Sequence, residues 1–185
     1  NIIIKVKNTF NRDCKGTIIS NKLDLESINR SKSIIRAVTS INNMSLITIK
    51  DYEMSGKVGV AASIFDIVAQ ENISIPFITQ ASSETTICFA IPTEQSIGLL
   101  NLIKKKLNKK YNISNIKKQD NVSLITIIGI NMINTPGISG KIFSILGEKN
   151  INIKAISQGS SEISISIVID SEFELLTLNT LNKIT

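Results

Sequence analysis

The sequence predicts an α+β fold in which two modules of the order βαββαβ pack as a pseudo-symmetric pair. The main observation is a gapless internal repeat. Ser45–Ile91 aligns with Ser123–Ile169 at a shift of 78 residues, and about 20 of the 47 positions are identical. A period this long exceeds a solenoid unit and suits a small α+β module. The second observation is that 42% of the residues are apolar but only 4% are aromatic, which predicts cores of Ile, Leu and Val.

The first 36 residues precede the repeat. Asn1–Ser20 predicts a strand, a turn and a strand, because the polar stretch Asn8–Gly16 separates two isoleucine-rich ends. Since the chain begins in what reads as mid-strand, we expect it to be part of a longer protein. Asn21–Arg36 is polar and is expected to be a linker, either a loop or a weak helix. Ala37–Ile41 is a short candidate strand. Two asparagines, which are a turn signal, stand between it and the repeat.

The first copy alternates between strand-type and helix-type apolar spacing. Its helix spacing begins at Val60, after two loop glycines, and we expect Asn72 to end the helix. In chain order we predict a strand, a helix, two strands, a helix and a strand: Ser45–Ile49, Val60–Glu71, Ser74–Thr79, Thr85–Ile91, Gln95–Lys110 and Asn112–Lys117.

The second copy repeats the first five elements of this order. Its predicted elements are the strand Val122–Ile130, a helix from Ile138 to Leu146, the strands Asn152–Ser157 and Ile163–Ile169, and the helix Phe173–Asn182. No fourth strand follows, so we hypothesise that Ala37–Ile41 supplies it. The expected divisions are therefore a leading segment over 1–36, a first module over 37–118 and a second module over 119–185. Each module would be a ferredoxin-like sheet with two helices on one face.

Charge and composition exclude several classes of function. The net charge of +6 comes almost entirely from lysines in a chain that is also rich in Ile and Asn, and these residues share AT-rich codons. The densest cluster, Lys104–Lys106, lies in an amphipathic helix, where a solvated face is the usual outcome. The strands lack the aromatic residues that stack on RNA bases. No apolar run reaches the roughly 18 residues of a membrane span. We therefore expect no nucleic-acid partner, no membrane partner and a cytoplasmic location.

The residue types also argue against catalysis within this chain. There is no histidine, the usual general base and metal ligand, and the two cysteines, Cys14 and Cys88, lie far apart in no motif. Gly137–Lys141 has glycines and a lysine but not the spacing of a phosphate-binding loop. We expect no catalytic residue, no metal and no cofactor in this segment.

Two polar positions instead suggest a small-ligand site. The loops Lys50–Gly59 and Ile128–Gly137 each lead into a helix N-terminus, where free N–H groups favour a carboxylate. Gln80 and Gln158 each follow the second strand of a module, at the end near that loop. A glutamine amide both donates and accepts hydrogen bonds. The alternative is that each glutamine, together with the Ser-Ser-Glu that follows it in both copies, forms only a polar hairpin turn.

These stretches resemble a known family. Val58–Phe65, Ile78–Glu84, Pro136–Phe143 and Ile156–Glu162 resemble the paired ACT domains of aspartokinases, and most closely those of the bifunctional aspartokinase–homoserine dehydrogenases. Asn1–Ser20 resembles the tail of the kinase catalytic domain. The likeness covers almost the whole chain apart from the expected linker.

The resemblance implies a regulatory role. The parent enzyme would phosphorylate the side-chain carboxylate of aspartate with ATP, and would also use NADP if a homoserine dehydrogenase domain is fused to it. This segment would bind an amino-acid effector, L-threonine being favoured, inhibit the kinase catalytic domain, and form homo-oligomers through its ACT modules. The alternative is a lysine-sensitive regulatory or dimerisation module that does not bind threonine. The implied effector-binding residues are Gln80, Gln158, Gly59, Gly137, Met54, Val58 and Ile78.

The two loops depart from each other in one respect. The first loop, Met54–Gly59, lacks the proline that precedes the glycine in Thr135–Gly137. Because the missing proline changes the residues beside the implied pocket, we expect the two pockets to differ in affinity.

Overall fold

A pair of short antiparallel strands forms the first of two units. The computed structural model describes residues 3–11, 13–19 and 33–184, without the side chain of residue 184. The chain divides into residues 1–33 and residues 34–185. In the first unit β1 (Ile4–Val6) pairs with β2 (Thr17–Ile19), which agrees with the predicted strand, turn and strand. Most of the expected linker lies outside the described residues.

The second unit contains six strands and four α-helices over its described residues, 34–184. The strands form one antiparallel sheet, and the helices follow the predicted order. The strands are β3 (Ala37–Lys50), β4 (Phe77–Gln80), β5 (Thr86–Pro92), β6 (Ile116–Ile128), β7 (Ala155–Gln158) and β8 (Ser164–Asp170). The helices are α1 (Val60–Gln70), α2 (Thr93–Tyr111), α3 (Ile138–Glu148) and α4 (Glu174–Leu181). Short 3-10 helices cover Tyr52–Met54, Ile130–Met132, Ser171–Phe173 and Asn182–Ile184.

The sheet has the order β4-β5-β3-β6-β8-β7, and its two central strands are unusually long. The prediction that they are broken into separate strands is wrong. The asparagines that signalled a turn after Ile41 instead form an irregularity within β3, with register shifts on either side of Met44. Asn43 and its repeat counterpart Asn121 both have a φ of 55°. A left-handed residue within a continuing strand is typical of a bulge, so the chain kinks there without reversing.

Each long strand serves both modules. Met44–Lys50 pairs with β5 and with the start of β6, which completes the first βαββαβ module. Ala37–Ile41 pairs in antiparallel register with Leu124–Ile128, the first strand of the second module. The fourth strand of the second module is therefore supplied by a segment that precedes the first. The modules share one sheet as a result.

Three apolar cores follow from the alternation of side chains along these strands. Ile47 and Ile49 point toward α1 and α2, and Ile125 and Ile127 lie in the corresponding core of the second module. The intervening residues, such as Leu46, face the other way. They join a third core that contains residues of both modules: Met44, Leu46, Phe77, Ala90, Val122, Leu124 and Val168.

The two edge strands of the sheet also contact each other. The Ser157 hydroxyl of β7 donates to the Ile78 carbonyl of β4 at 2.9 Å. Since β4 and β7 stand at opposite ends of the strand order, the sheet curls until its edges meet around the third core. This contact joins the two edge strands near the ends at which Gln80 and Gln158 lie.

Candidate functional site

The loop between the first strand and the first helix has the same backbone conformation in both modules. Gly56 has a φ of 71° and its counterpart Asn134 has a φ of 55°. Gly59 and Gly137, which immediately precede α1 and α3, have φ values of 85° and 86°. Such left-handed conformations favour glycine and, less strongly, asparagine. The first loop therefore reaches the same shape as the second without the proline.

A glutamate fixes this loop in each module. The Gly56 N–H donates to Glu84 Oε2 at 2.9 Å, and the Asn134 N–H donates to Glu162 Oε2 at 2.8 Å. Each glutamate lies in the turn after its module's glutamine and has a positive φ. The hairpin turn expected from the sequence is thus tied to the loop that precedes the helix. In the sequence, the two glutamates could be recognised because both copies of the repeat have a glutamate at this position, 78 residues apart.

A cavity of about 260 Å³ lies between this loop, the start of α1 and the end of β4 in the first module. Met54 is buried within the loop, at 3% exposure. Gln80, at the end of β4, contributes an amide, and Glu84 contributes a carboxylate. The lining residues are Met54, Lys57, Gly59, Val60, Ala61, Ala62, Gln80, Glu84 and Ile87.

The second module has a corresponding but smaller cavity of about 130 Å³. Gln158 and Glu162 occupy the positions that Gln80 and Glu84 hold in the first. The lining residues are Met132, Thr135, Gly137, Ile138, Ser139, Gly140, Gln158, Glu162 and Ile165. The repeat in the sequence therefore corresponds to a repeat of the cavity.

The chemistry of each cavity suits a small molecule that carries both charges of a free amino acid. The first main-chain bond of α1 runs from the Ser63 N–H to the Gly59 carbonyl. The N–H groups that precede Ser63 at the helix start have no intrahelical acceptor, and the helix dipole favours an anion there. The Glu84 carboxylate offers acceptor oxygens to an ammonium group, and the Gln80 amide donates and accepts. Both volumes are below the usual range of about 300–1,000 Å³ for drug-sized ligands, which favours a small ligand.

Five of the seven residues that the sequence suggested line one or the other of the two cavities. Those that line a cavity are Met54, Gly59 and Gln80 in the first module and Gly137 and Gln158 in the second. The other two, Val58 and Ile78, do not line either cavity. The Val58 side chain is 97% exposed on the same loop, and Ile78 lies on β4 where its carbonyl accepts from Ser157.

Sequence reasoning missed Lys57, which lines the first cavity. Its ammonium lies 3.0 Å from the Glu53 carboxylate and 3.5 Å from the Tyr111 carbonyl at the end of α2. The Tyr111 hydroxyl in turn contacts the Ser63 hydroxyl at 2.8 Å and the Gly59 carbonyl at 3.2 Å. The hydrogen bond with Ser63, followed by that with Lys110, lowers the pKa of Tyr111 from its ordinary value. The end of α2 is thus joined to the loop beside the cavity.

In the described ranges, 3–11, 13–19 and 33–184, no group of three or more Cys, Asp or Glu side chains is arranged to hold a metal ion. None of the helices in the part of the chain that the structure describes has the length and apolar character of a membrane span.

Comparison with known proteins identifies both modules. The ACT domain family matches twice, over residues 47–107 and 125–184. The bifunctional aspartokinase/homoserine dehydrogenase 1 of Arabidopsis thaliana is 32% identical over 178 residues, which cover 92% of this chain and 19% of the relative. The bifunctional enzyme of Buchnera aphidicola is 35% identical over 170 residues, covering 90% and 20%. The chain spans about a fifth of the length of these relatives.

Solved structures share the fold. An aspartate kinase from Clostridium acetobutylicum superposes with a TM-score of 0.81 at 24% identity, over 98% of this chain and 41% of the kinase. A structure of aspartokinase alpha and beta subunits gives a TM-score of 0.71 at 28% identity, over 80% of this chain and 97% of the matched one. The chain therefore belongs to the ACT domain family, with two ACT domains in tandem, and it is similar to part of the bifunctional aspartokinase/homoserine dehydrogenases.

Proposed function

We propose that this chain is the regulatory region of an aspartokinase and that each of its two cavities binds a free amino acid of the aspartate family, with L-threonine as the favoured effector. The observation that carries the proposal is the repeated arrangement around each cavity. A glutamine amide, a glutamate carboxylate and a helix N-terminus surround a small volume in both modules. These groups match the ammonium, carboxylate and hydroxyl of threonine.

Regulation requires the effector to favour one arrangement of the enzyme over another. A coupling free energy of about 1–3 kcal/mol is sufficient for feedback inhibition. The sheet offers a route for such coupling, because the strands that end at the two cavities, β4 and β7, contact each other through Ser157 and Ile78. An effector that orders one loop would therefore bias the position of the other edge strand. The enzyme regulated in this way would be the ATP-dependent kinase of aspartate, with its catalytic domain as the partner.

Isothermal titration calorimetry tests the proposal directly. We expect the whole chain to bind L-threonine, and we expect Gln80→Ala or Gln158→Ala to weaken binding by about tenfold at its own cavity, since a lost hydrogen bond to a charged or polar ligand costs about 1–3 kcal/mol. Gln95→Ala, on the exposed surface of α2, is the matched control and should bind like the wild-type chain.

Titration with L-lysine distinguishes the alternative reading. Binding of L-lysine without L-threonine would make the chain a lysine-sensitive module. Absence of heat with either amino acid, together with dimerisation in sedimentation experiments, would show an assembly role and would contradict the proposed effector site.

A further inference from the structure

We propose that Lys57 recognises the carboxylate of the amino acid bound in the first cavity, and that the second cavity lacks this contact. The inference rests on the proposed function, because it concerns the same two sites. Lys57 and Thr135 are counterparts, 78 residues apart, and each lines the cavity of its own module. At this position the two cavities therefore differ in the charge and in the length of the side chain.

Lys57 is placed to meet a ligand. Its side chain is 38% exposed, and its ammonium contacts the Glu53 carboxylate and the Tyr111 carbonyl. A lysine ammonium has three N–H donors. Within the described part of the chain these two contacts leave one donor for a ligand in the cavity. The ammonium therefore lies between Glu53, in the loop that precedes α1, and the end of α2.

Thr135 offers neither a charge nor a proton at the corresponding point. Its hydroxyl donates to the Asn131 carbonyl of its own loop at 2.8 Å. A hydroxyl has one proton to donate, so this bond occupies it. A carboxylate in the second cavity therefore meets uncharged donors alone: the N–H groups at the start of α3, the Ser139 hydroxyl and the Gln158 amide.

The charges of the two cavities differ accordingly. Both contain a glutamate, Glu84 or Glu162, which suits the ammonium group of an amino acid. In the first cavity Lys57 balances that glutamate, so a zwitterion finds an opposite charge at each end. In the second the glutamate has no cationic counterpart among the lining residues. The first cavity should therefore bind a zwitterion more tightly and depend more strongly on its carboxylate.

Glu53 competes with the ligand for Lys57. The Glu53 side chain is 66% exposed and that of Lys57 is 38% exposed, so the pair is a surface ion pair. Such pairs contribute little to stability, and a ligand carboxylate can replace Glu53 at small cost. Removing the charge of Glu53 should free the ammonium and tighten binding. Removing Lys57 should have the opposite effect.

Calorimetry of the whole chain with L-threonine and with L-threonine methyl ester tests the assignment. If the chain binds only L-lysine, L-lysine and its methyl ester are used instead. Gln158→Ala is introduced throughout so that the heat reports the first cavity. Lys57→Thr should weaken binding of the free amino acid about tenfold and reduce the preference for acid over ester. Glu53→Gln should tighten binding about two- to threefold. Lys105→Thr, on the exposed face of α2, should change neither value.

The reciprocal change keeps the test informative if Lys57→Thr is unstable. Thr135→Lys in a Gln80→Ala chain should strengthen binding at the second cavity and increase its preference for the acid. Unchanged affinity in Lys57→Thr, or weaker binding in Glu53→Gln, would overturn the assignment of Lys57 while leaving the effector site intact. A wild-type chain that binds neither L-threonine nor L-lysine would overturn the proposed function, and this inference with it.

Discussion

At the residue scale, a buried serine on the first strand of each module donates a hydrogen bond to a carboxylate. The Ser45 hydroxyl donates to Asp120, whose other oxygen lies 2.7 Å from the Lys118 ammonium. In the second module the Ser123 hydroxyl donates to Glu174 at 2.7 Å. The repeat thus keeps the buried serine but takes its carboxylate acceptor from a different element, from β6 in one module and from α4 in the other.

The carboxylate of Asp120 leads to a pH-dependent prediction. The hydrogen bond from Lys118, followed by that from Ser45, lowers the pKa of Asp120 below its ordinary value of 3.8. A depressed pKa in the folded state stabilises the fold above 3.8, and this contribution disappears as the pH falls through the lower folded value. Asp120→Asn should therefore reduce the free energy of unfolding at pH 7 by about 0.5–1 kcal/mol, since the group is partly exposed.

Urea denaturation of both chains across pH 7 to pH 3 measures this difference. The difference between the wild type and Asp120→Asn should narrow as the pH falls below 3.8, because the wild-type carboxylate becomes protonated first in the unfolded chain. A constant difference at every pH would show that the ionised carboxylate of Asp120 is not what the mutation removes. Asp66→Asn, on the exposed face of α1, serves as the control.

The sequence indicated some site residues better than others, for physical reasons. Gln80 and Gln158 were visible because a polar side chain ends an apolar strand in both copies. Glu84 was interpreted as a turn residue, because its bond to the Gly56 N–H joins segments 28 residues apart. Lys57 was not singled out, since a repeat highlights what the copies share and Lys57 is where they differ. Its position depends on Tyr111, far along the chain.

At the scale of elements, the long strands show why a turn signal can mislead. A reversing turn and a bulge both need a residue that tolerates a positive φ, and asparagine serves for either. What decides between them is whether the flanking residues find partners on both sides. Here Ile41 pairs with Leu124 and Met44 pairs with Val122, so the strand continues past Asn43. Such pairing is nonlocal and leaves no mark near the asparagine.

The bulges give a prediction about backbone conformation. Asn121 is exposed and has a φ of 55°. Asn121→Ala should lower the free energy of unfolding by about 1 kcal/mol, because a residue with Cβ resists the left-handed region unless its side chain compensates. Asn121→Gly should be within about 0.5 kcal/mol of the wild type, since glycine accepts a positive φ freely. Guanidinium denaturation of the three chains provides the comparison, and equal losses for both substitutions would indicate that the asparagine side chain, not the backbone, matters there.

At the scale of the whole molecule, the two modules are not separable bodies. The order of elements and their pairing into two modules were predictable from the repeat and its apolar periods. The way the modules are joined was less accessible, because it depends on strands that each serve two modules and on a core between them. Leu46 and Leu124, identical in the repeat, meet in that third core. A residue shared by both copies gives no sign in the sequence of whether it faces its own helices or the other module.

Sharing of strands and core predicts that residues 34–185 unfold as one cooperative unit. Leu124 is 2% exposed in the third core, and Leu124→Ala should lower the free energy of unfolding by about 2–5 kcal/mol. Because β3 and β6 belong to both modules, the loss should appear equally in both. Hydrogen exchange followed by NMR should then show faster exchange of amides in β5 and in β8 by the same factor, as expected for global opening.

The comparison with Leu146→Ala sharpens this test, because Leu146 is fully buried in the core of the second module alone. If the modules were independent, this substitution would accelerate exchange in β8 and leave β5 unchanged. If the shared strands couple them, β5 and β8 accelerate together for both variants, and a single denaturation transition moves to lower denaturant in each case. The same coupling is what the proposed regulation needs, since a ligand in one cavity can influence the other module only when the two respond as one body.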